Sequence, residues 1–192
     1  MIWHIIGILA AVVIYNLYRY YHDNDNYEYC PVVTDTSVNN QITETMEETI
    51  STRQLALRTI ENIGSEPKYT EEGRIQFEYQ GVIFLMEAVN DCAFVKLIWP
   101  WCHSFSKYDI DEFARVQKVI NDINGRGTAS VFYGITDSDD VAVHIKKHFL
   151  LVSQIPDLED YLKLMLDSFF RTARTLELEI EKCRMQECEQ QV

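Results

Sequence analysis

Arg74-Ile75-Gln76-Phe77-Glu78-Tyr79-Gln80-Gly81 is the stretch on which the fold turns. Apolar and polar residues alternate strictly from Arg74 to Tyr79, so Ile75, Phe77 and Tyr79 fall on one face of an extended strand. Gln80-Gly81 then offers a tight turn, and Val82 to Val89 is a second strand. Asn90-Asp91 is a second turn. Ala93 to Trp99 is a third strand, which Pro100 ends. Three strands joined by short turns read as an antiparallel meander.

Helical periodicity flanks the meander. On the N-terminal side, Ile42, Met46 and Ile50 recur every four residues, and Leu57, Ile60 and Ile63 continue the stripe. Ser51-Thr52 offers a cap for a shorter second helix, so residues 41–63 form one helix or two, and Gly64 ends them. On the C-terminal side, Asp109 and Glu112 have capping-box spacing. Asp109 precedes an amphipathic helix through Ile110, Phe113, Val116, Val119, Ile120 and Ile123. Asn124-Gly125-Arg126-Gly127 closes it. Thr128 to Ile135 and Val141 to Val152 are two further strands, joined by a turn at Asp137-Ser138-Asp139-Asp140. Pro156-Asp157 opens a last long helix, which passes Ile180 and frays into a charged tail at 183–192. The expected fold is α+β, an antiparallel sheet in the order α-β-β-β-α-β-β-α with helices packed on one face. Strictly alternating βαβ units are missing, which argues against a doubly wound nucleotide fold.

The N-terminus is of a different character. Ile2 to Leu17 reads IWHIIGILAAVVIYNL, uncharged and nearly all apolar. About 17 to 20 such residues span a bilayer as a helix. Trp3 at one end and Tyr15, Tyr18, Tyr20 and Tyr21 at the other match two interfacial aromatic belts. Residues 2–21 are therefore expected to be an uncleaved transmembrane helix, and 22–40 a polar linker to a domain at 41–182. No basic n-region precedes the run and bulky residues follow it, which argues against a cleaved signal peptide. Arg19 is the one Lys or Arg beside the run, and it places the domain in the cytoplasm. An extracytoplasmic domain on the same anchor is the alternative.

The formal net charge of −13 argues against nucleic acid as a partner, because phosphates call for a basic footprint. The hydrophobic fraction of 47% supports a packed core. Five cysteines lie at irregular spacing with no CxxC. Zinc-ribbon and thioredoxin-like chemistry is thereby disfavoured, and free thiols in a reducing compartment are expected.

No catalytic, cofactor or metal constellation emerges. Cys102-His103 offers a thiol beside an imidazole, but neighbours in sequence rarely share one productive geometry. A thiol-dependent enzyme using Cys102 is the alternative to a binding role. His144 and His148 share a strand face about 13 Å apart, too far to hold one metal, and read as a solvated face. Asp137, Asp139 and Asp140 lack the Gly and Glu of an EF-hand loop. Asn124-Gly125-Arg126-Gly127 is not followed by Lys-Ser/Thr, and ends a helix where a phosphate loop would open one. Trp99, Trp101, Phe105 and Tyr108 cluster just after a strand, and are the candidate partner-binding residues. Exposed edge strands are a second route, by β-augmentation.

The element order resembles that of the YbjN-like family, whose domain is similar to the type III secretion chaperones. The residues that carry the resemblance are Gly73 to Gly81, Ala93-Phe94-Val95-Lys96-Leu97, Val119 to Asn124, and Ile155 to Leu162, within a match over about Ser51 to Ile180. The resemblance implies a chaperone-like binding module with no enzymatic activity and no cofactor, and by analogy a homodimer. The membrane anchor departs from the soluble chaperones. The expectation is a membrane-anchored protein-interaction or regulatory module whose protein partner is unknown.

Overall fold

A computed structural model describes residues 50–190 apart from 91 and 128. The expected transmembrane helix at 2–21, the linker at 22–40 and the helical turns at 41–49 lie outside the described residues. Among the described residues, no helix is long and apolar enough to cross a membrane.

The elements are α1 (Thr52–Asn62), β1 (Lys68–Tyr69), β2 (Ile75–Tyr79), β3 (Val82–Glu87), β4 (Phe94–Ser106), α2 (Ile110–Arg126), β5 (Ser130–Ile135), β6 (Asp140–Leu150) and α3 (Leu158–Gln190). The class is α+β, with three helices and a six-stranded antiparallel sheet of strand order β1-β2-β3-β4-β6-β5. The element order corrects the expected α-β-β-β-α-β-β-α. A two-residue strand, β1, precedes the meander and pairs with Gln76 and Ile75. It is too short to carry an alternating pattern of its own.

The β2–β3 hairpin forms as expected. Gln80 and Gly81 both take positive φ, 51° and 78°, which matches the right-handed twist of the strands they join. Ser51 caps α1 in a capping box with Gln54. Asp109 caps α2 by accepting from the Glu112 amide at 3.0 Å, but the Glu112 side chain does not reach back to complete the box. Asp157 caps α3 through the Asp160 amide at 3.0 Å. The helix then continues to Gln190, through most of the segment expected to fray.

The second correction is β4. Pro100 does not end this strand, which continues to Ser106. A register shift between Trp99 and His103 places an irregularity at Pro100, where the missing N–H disturbs no regular ladder. Pairing with β3 reaches no farther than Ile98, so the rest of β4 is held by β6.

The core is built from alternate strand residues and the apolar stripes of all three helices. Phe77, Phe84, Met86, Leu97 and Ile145 meet Ile60, Val116, Leu166 and Phe169 in one buried cluster. Phe84 lies 5.8 Å from Phe77 and 5.6 Å from Phe169 between ring centroids, the latter edge to face. The intervening strand residues point away from this cluster and form the opposite face of the sheet.

Candidate functional site

Register defines the opposite face. Gln76 pairs with Leu85, Leu85 with Ile98, Ile98 with Lys146 and Lys146 with Ser130, giving one continuous row across β2, β3, β4, β6 and β5. The neighbouring row holds Glu87, Lys96 and His148. Ile83, Phe94, Trp101 and Leu150 are exposed large apolar residues, with 49%, 45%, 58% and 38% of their surface open. Ile83 lies opposite Glu78 and Phe94 opposite Leu150, both in this outward register. Salt links cross the face from Lys96 to Glu87 at 2.8 Å and from Arg74 to Glu87 at 3.0 Å.

The irregularity in β4 shapes one end of this face. Trp101 takes φ of 58°, and its N–H donates to His144 Nδ1 at 3.1 Å. The acceptor role requires an unprotonated Nδ1. The His144 ring sits between Trp101 and Phe132, with centroids at 5.9 and 5.0 Å, and Lys146 Nζ lies 5.0 Å from the Phe132 ring centre. Burial holds the His144 pKa below the usual histidine value. His144 is thus half-buried and packed, whereas the exposed His148 fits the expected solvated face.

The four candidate partner-binding residues do not form one cluster. Trp99 packs against Phe170 at 5.3 Å and Phe84 at 5.8 Å, so it seals the core. Phe105 is half-buried and meets Phe113 at 6.2 Å and His103 at 5.9 Å. Tyr108 is 71% exposed, and its hydroxyl donates to Asp139 Oδ2 at 2.8 Å. Lys107 pairs with the same carboxylate. These hydrogen bonds, Lys107 first, hold the Asp139 carboxyl below the usual range. Only Trp101 stands on the open face. The sequence grouped the four because they are close along the chain, but strand alternation and the irregularity at Pro100 send them to different surroundings.

The sheet edges are closed to strand addition where side chains reach them. Asn124 at the end of α2 accepts from the Val131 N–H and donates to the Val131 carbonyl, both at 2.8 Å, on the β5 edge. At the other end, Ser65 Oγ donates to the Glu78 carbonyl at 2.7 Å, beside β1. Side-chain plugs of this kind occupy the backbone groups that a strand from another chain would use.

An ionic cluster binds α2 to the far half of α3. Glu112, with its side chain 6% exposed, receives Arg184 Nη2 at 2.6 Å and pairs with Arg115. Arg115 also reaches Glu187 at 2.6 Å. His103 Nε2 lies 3.7 Å from Glu112 Oε1, beyond hydrogen-bond range, and is buried without a hydrogen-bond partner among the described residues. These groups line an open depression of about 550 Å³. Both guanidinium groups are committed to carboxylates, so the cluster fixes a helix and leaves no cationic fork free for a ligand. The i,i+3 spacing of Glu112 and Arg115 was readable in the sequence, but the approach of Arg184 across 72 residues was not.

Cys102 is surrounded by apolar packing. Its thiol donates to the Val143 carbonyl at 3.3 Å, and burial pushes its pKa up from 9.0 to about 12. No hydrogen bond joins it to His103 among the described residues. Cys92, Cys102, Cys183 and Cys188 are all free. Among the described residues, no group of three or more His, Cys, Asp or Glu side chains is placed to hold a metal ion.

Fold and surface together define an α+β protein whose sheet, among the described residues, is covered by helices on one side and open on the other. No protein-family model matches the chain, and no curated protein matches it. Among solved structures, the chain is similar to an uncharacterized protein from Methanothermobacter thermautotrophicus at 10% identity and a TM-score of 0.50. The likeness covers 68% of this chain and 97% of that one, and is a likeness of fold alone.

Proposed function

We propose that this chain is a non-enzymatic protein-interaction or regulatory module, anchored in a membrane by residues 2–21, that binds a polypeptide through the open face of its sheet. The observation that carries the reading is the set of exposed apolar residues Ile83, Phe94, Trp101 and Leu150 on one sheet face. The plugs at Val131 and Glu78 favour docking on the face over strand addition at the edges. The likeness of element order to YbjN-like and secretion-chaperone domains supports a binding role. The apolar, aromatic-flanked character of 2–21 supports the anchor, and Arg19 supports a cytoplasmic domain. The Cys102 environment disfavours the thiol-enzyme alternative, because a nucleophilic thiol needs a lowered pKa.

Photocrosslinking in native membranes tests the reading. A benzophenone side chain placed at Phe94 or Ile83 is expected to give a discrete adduct that Trp101→Asp abolishes. The same probe at Leu164, exposed on α3, is the control. Identical adducts from all three positions, or none from the sheet face, would overturn it. Labelling of Cys188 by a membrane-impermeant thiol reagent in intact cells would place the domain on the extracytoplasmic side instead.

A further inference from the structure

A second depression, of about 450 Å³, lies where the end of α2 meets the middle of α3, and its chemistry is unlike that of the rest of the chain. It is lined by Arg126, Gly127, Ser168, Arg171 and Thr175 over Ile123, and no acidic residue lines it. In a chain of net charge −13, a concavity with two guanidinium groups and no carboxylate is a marked departure. Among the described residues neither Arg126 nor Arg171 is in an ion pair, whereas Arg74, Arg115 and Arg184 all are; Arg126 Nε donates to the Asp122 carbonyl at 3.2 Å, which leaves its terminal nitrogens for a ligand.

Two further observations point the same way. Lys147 on β6 donates from Nζ to the Oγ of Ser168, one of the lining residues, at 3.2 Å. Burial, and then the charge of Arg171, hold its pKa below the usual lysine value. Gly127 closes one wall so tightly that a Cβ there would lie 2.9 Å from the Ile123 carbonyl oxygen. A side chain there would force the backbone leaving α2 to shift.

We propose that this depression binds a phosphoryl group, as a small phosphate monoester, between the Arg126 and Arg171 side chains. Planar guanidinium forks bind phosphate oxygens in pairs, and two cations match a dianion better than a monocarboxylate. Thr172 and Thr175 now donate to the helix carbonyls of Ser168 and Arg171 at 2.8 and 2.9 Å, and turning either hydroxyl would supply a further donor. The site is separate from the open sheet face, so it stands or falls independently of the proposed binding role.

The test is calorimetric titration of the full chain in non-ionic detergent with inorganic phosphate and glycerol 3-phosphate. Acetate and sodium chloride at matched ionic strength are the controls, and soluble dibutyroyl phosphatidate asks whether a lipid headgroup is the better source. Saturable binding of a phosphate probe is expected, weakened about tenfold or more by Arg171→Ala or Arg126→Ala. Tighter binding of glycerol 3-phosphate or of the phosphatidate would support the site and name its source. Amide shift changes on the wild-type chain should centre on Gly127 and Arg171, which keeps the proposal testable if a variant misfolds. Equal response to chloride, binding unchanged in both variants, or shifts centred elsewhere would overturn it.

Discussion

Asn124 pairs with Val131 as a strand residue would, one side chain filling both the donor and the acceptor of a single edge residue. A helix end thereby closes a sheet edge. Asn124→Ala should lose two hydrogen bonds, about 1–3 kcal/mol of stability, and expose the β5 edge. Urea denaturation reads the first effect and sedimentation at rising concentration the second. A variant as stable and as weakly associating as the parent would show that the plug has no role.

Trp99 and Trp101 are separated by one residue and should behave oppositely. Trp99→Ala opens a gap beside Phe84 and Phe170 and is expected to cost about 3 kcal/mol. Trp101→Ala should change stability by no more than about 0.5 kcal/mol, as for an exposed side chain. Thermal unfolding of the two variants side by side is sufficient. Equal losses would mean that Trp101 is part of the packing and not of an open face.

Glu112 is the keystone of the α2–α3 ionic cluster. Glu112→Ala leaves Arg115 without its buried partner, and should cost about 3 kcal/mol, the low end for a broken buried pair because Arg184 is partly exposed. Hydrogen exchange should rise mainly in α3 beyond Ile180. Uniform destabilisation with no excess exchange there would argue against a local tie.

Cys102 sets a pH dependence with a defined sign. Its folded pKa, about 12, stands above the unfolded 9.0, so the fold favours the protonated thiol. That contribution is fully present below pH 9 and is lost as pH rises through about 12. Urea midpoints between pH 7 and 11 should fall more steeply for the parent than for Cys102→Ala. The exposed Cys188 should react with iodoacetamide well before Cys102. Faster alkylation of Cys102 would revive the thiol-enzyme alternative.

Much of the fold was legible because its signals are local. The alternation from Ile75 to Tyr79, the Gln80-Gly81 turn, the Ser51, Asp109 and Asp157 caps and the stripe of α2 all depend on neighbours within a few residues. The strand β1 was not legible, because two residues carry no period. Pro100 misled, because its effect on a strand depends on whether the ladder there is regular, and that is settled by β6.

The candidate site was less legible for the same reason. Composition and periodicity determined the class, the order of most elements and the presence of a packed core. Only the tertiary structure decided that Trp99 faces the core while Trp101 meets His144, that Asn124 plugs β5, and that Arg126 and Arg171 share one depression. Alternation says which residues share a face, but not which face the helices cover or which distant charges meet. Those depend on packing between segments far apart in the chain, where burial and ion pairing are settled together.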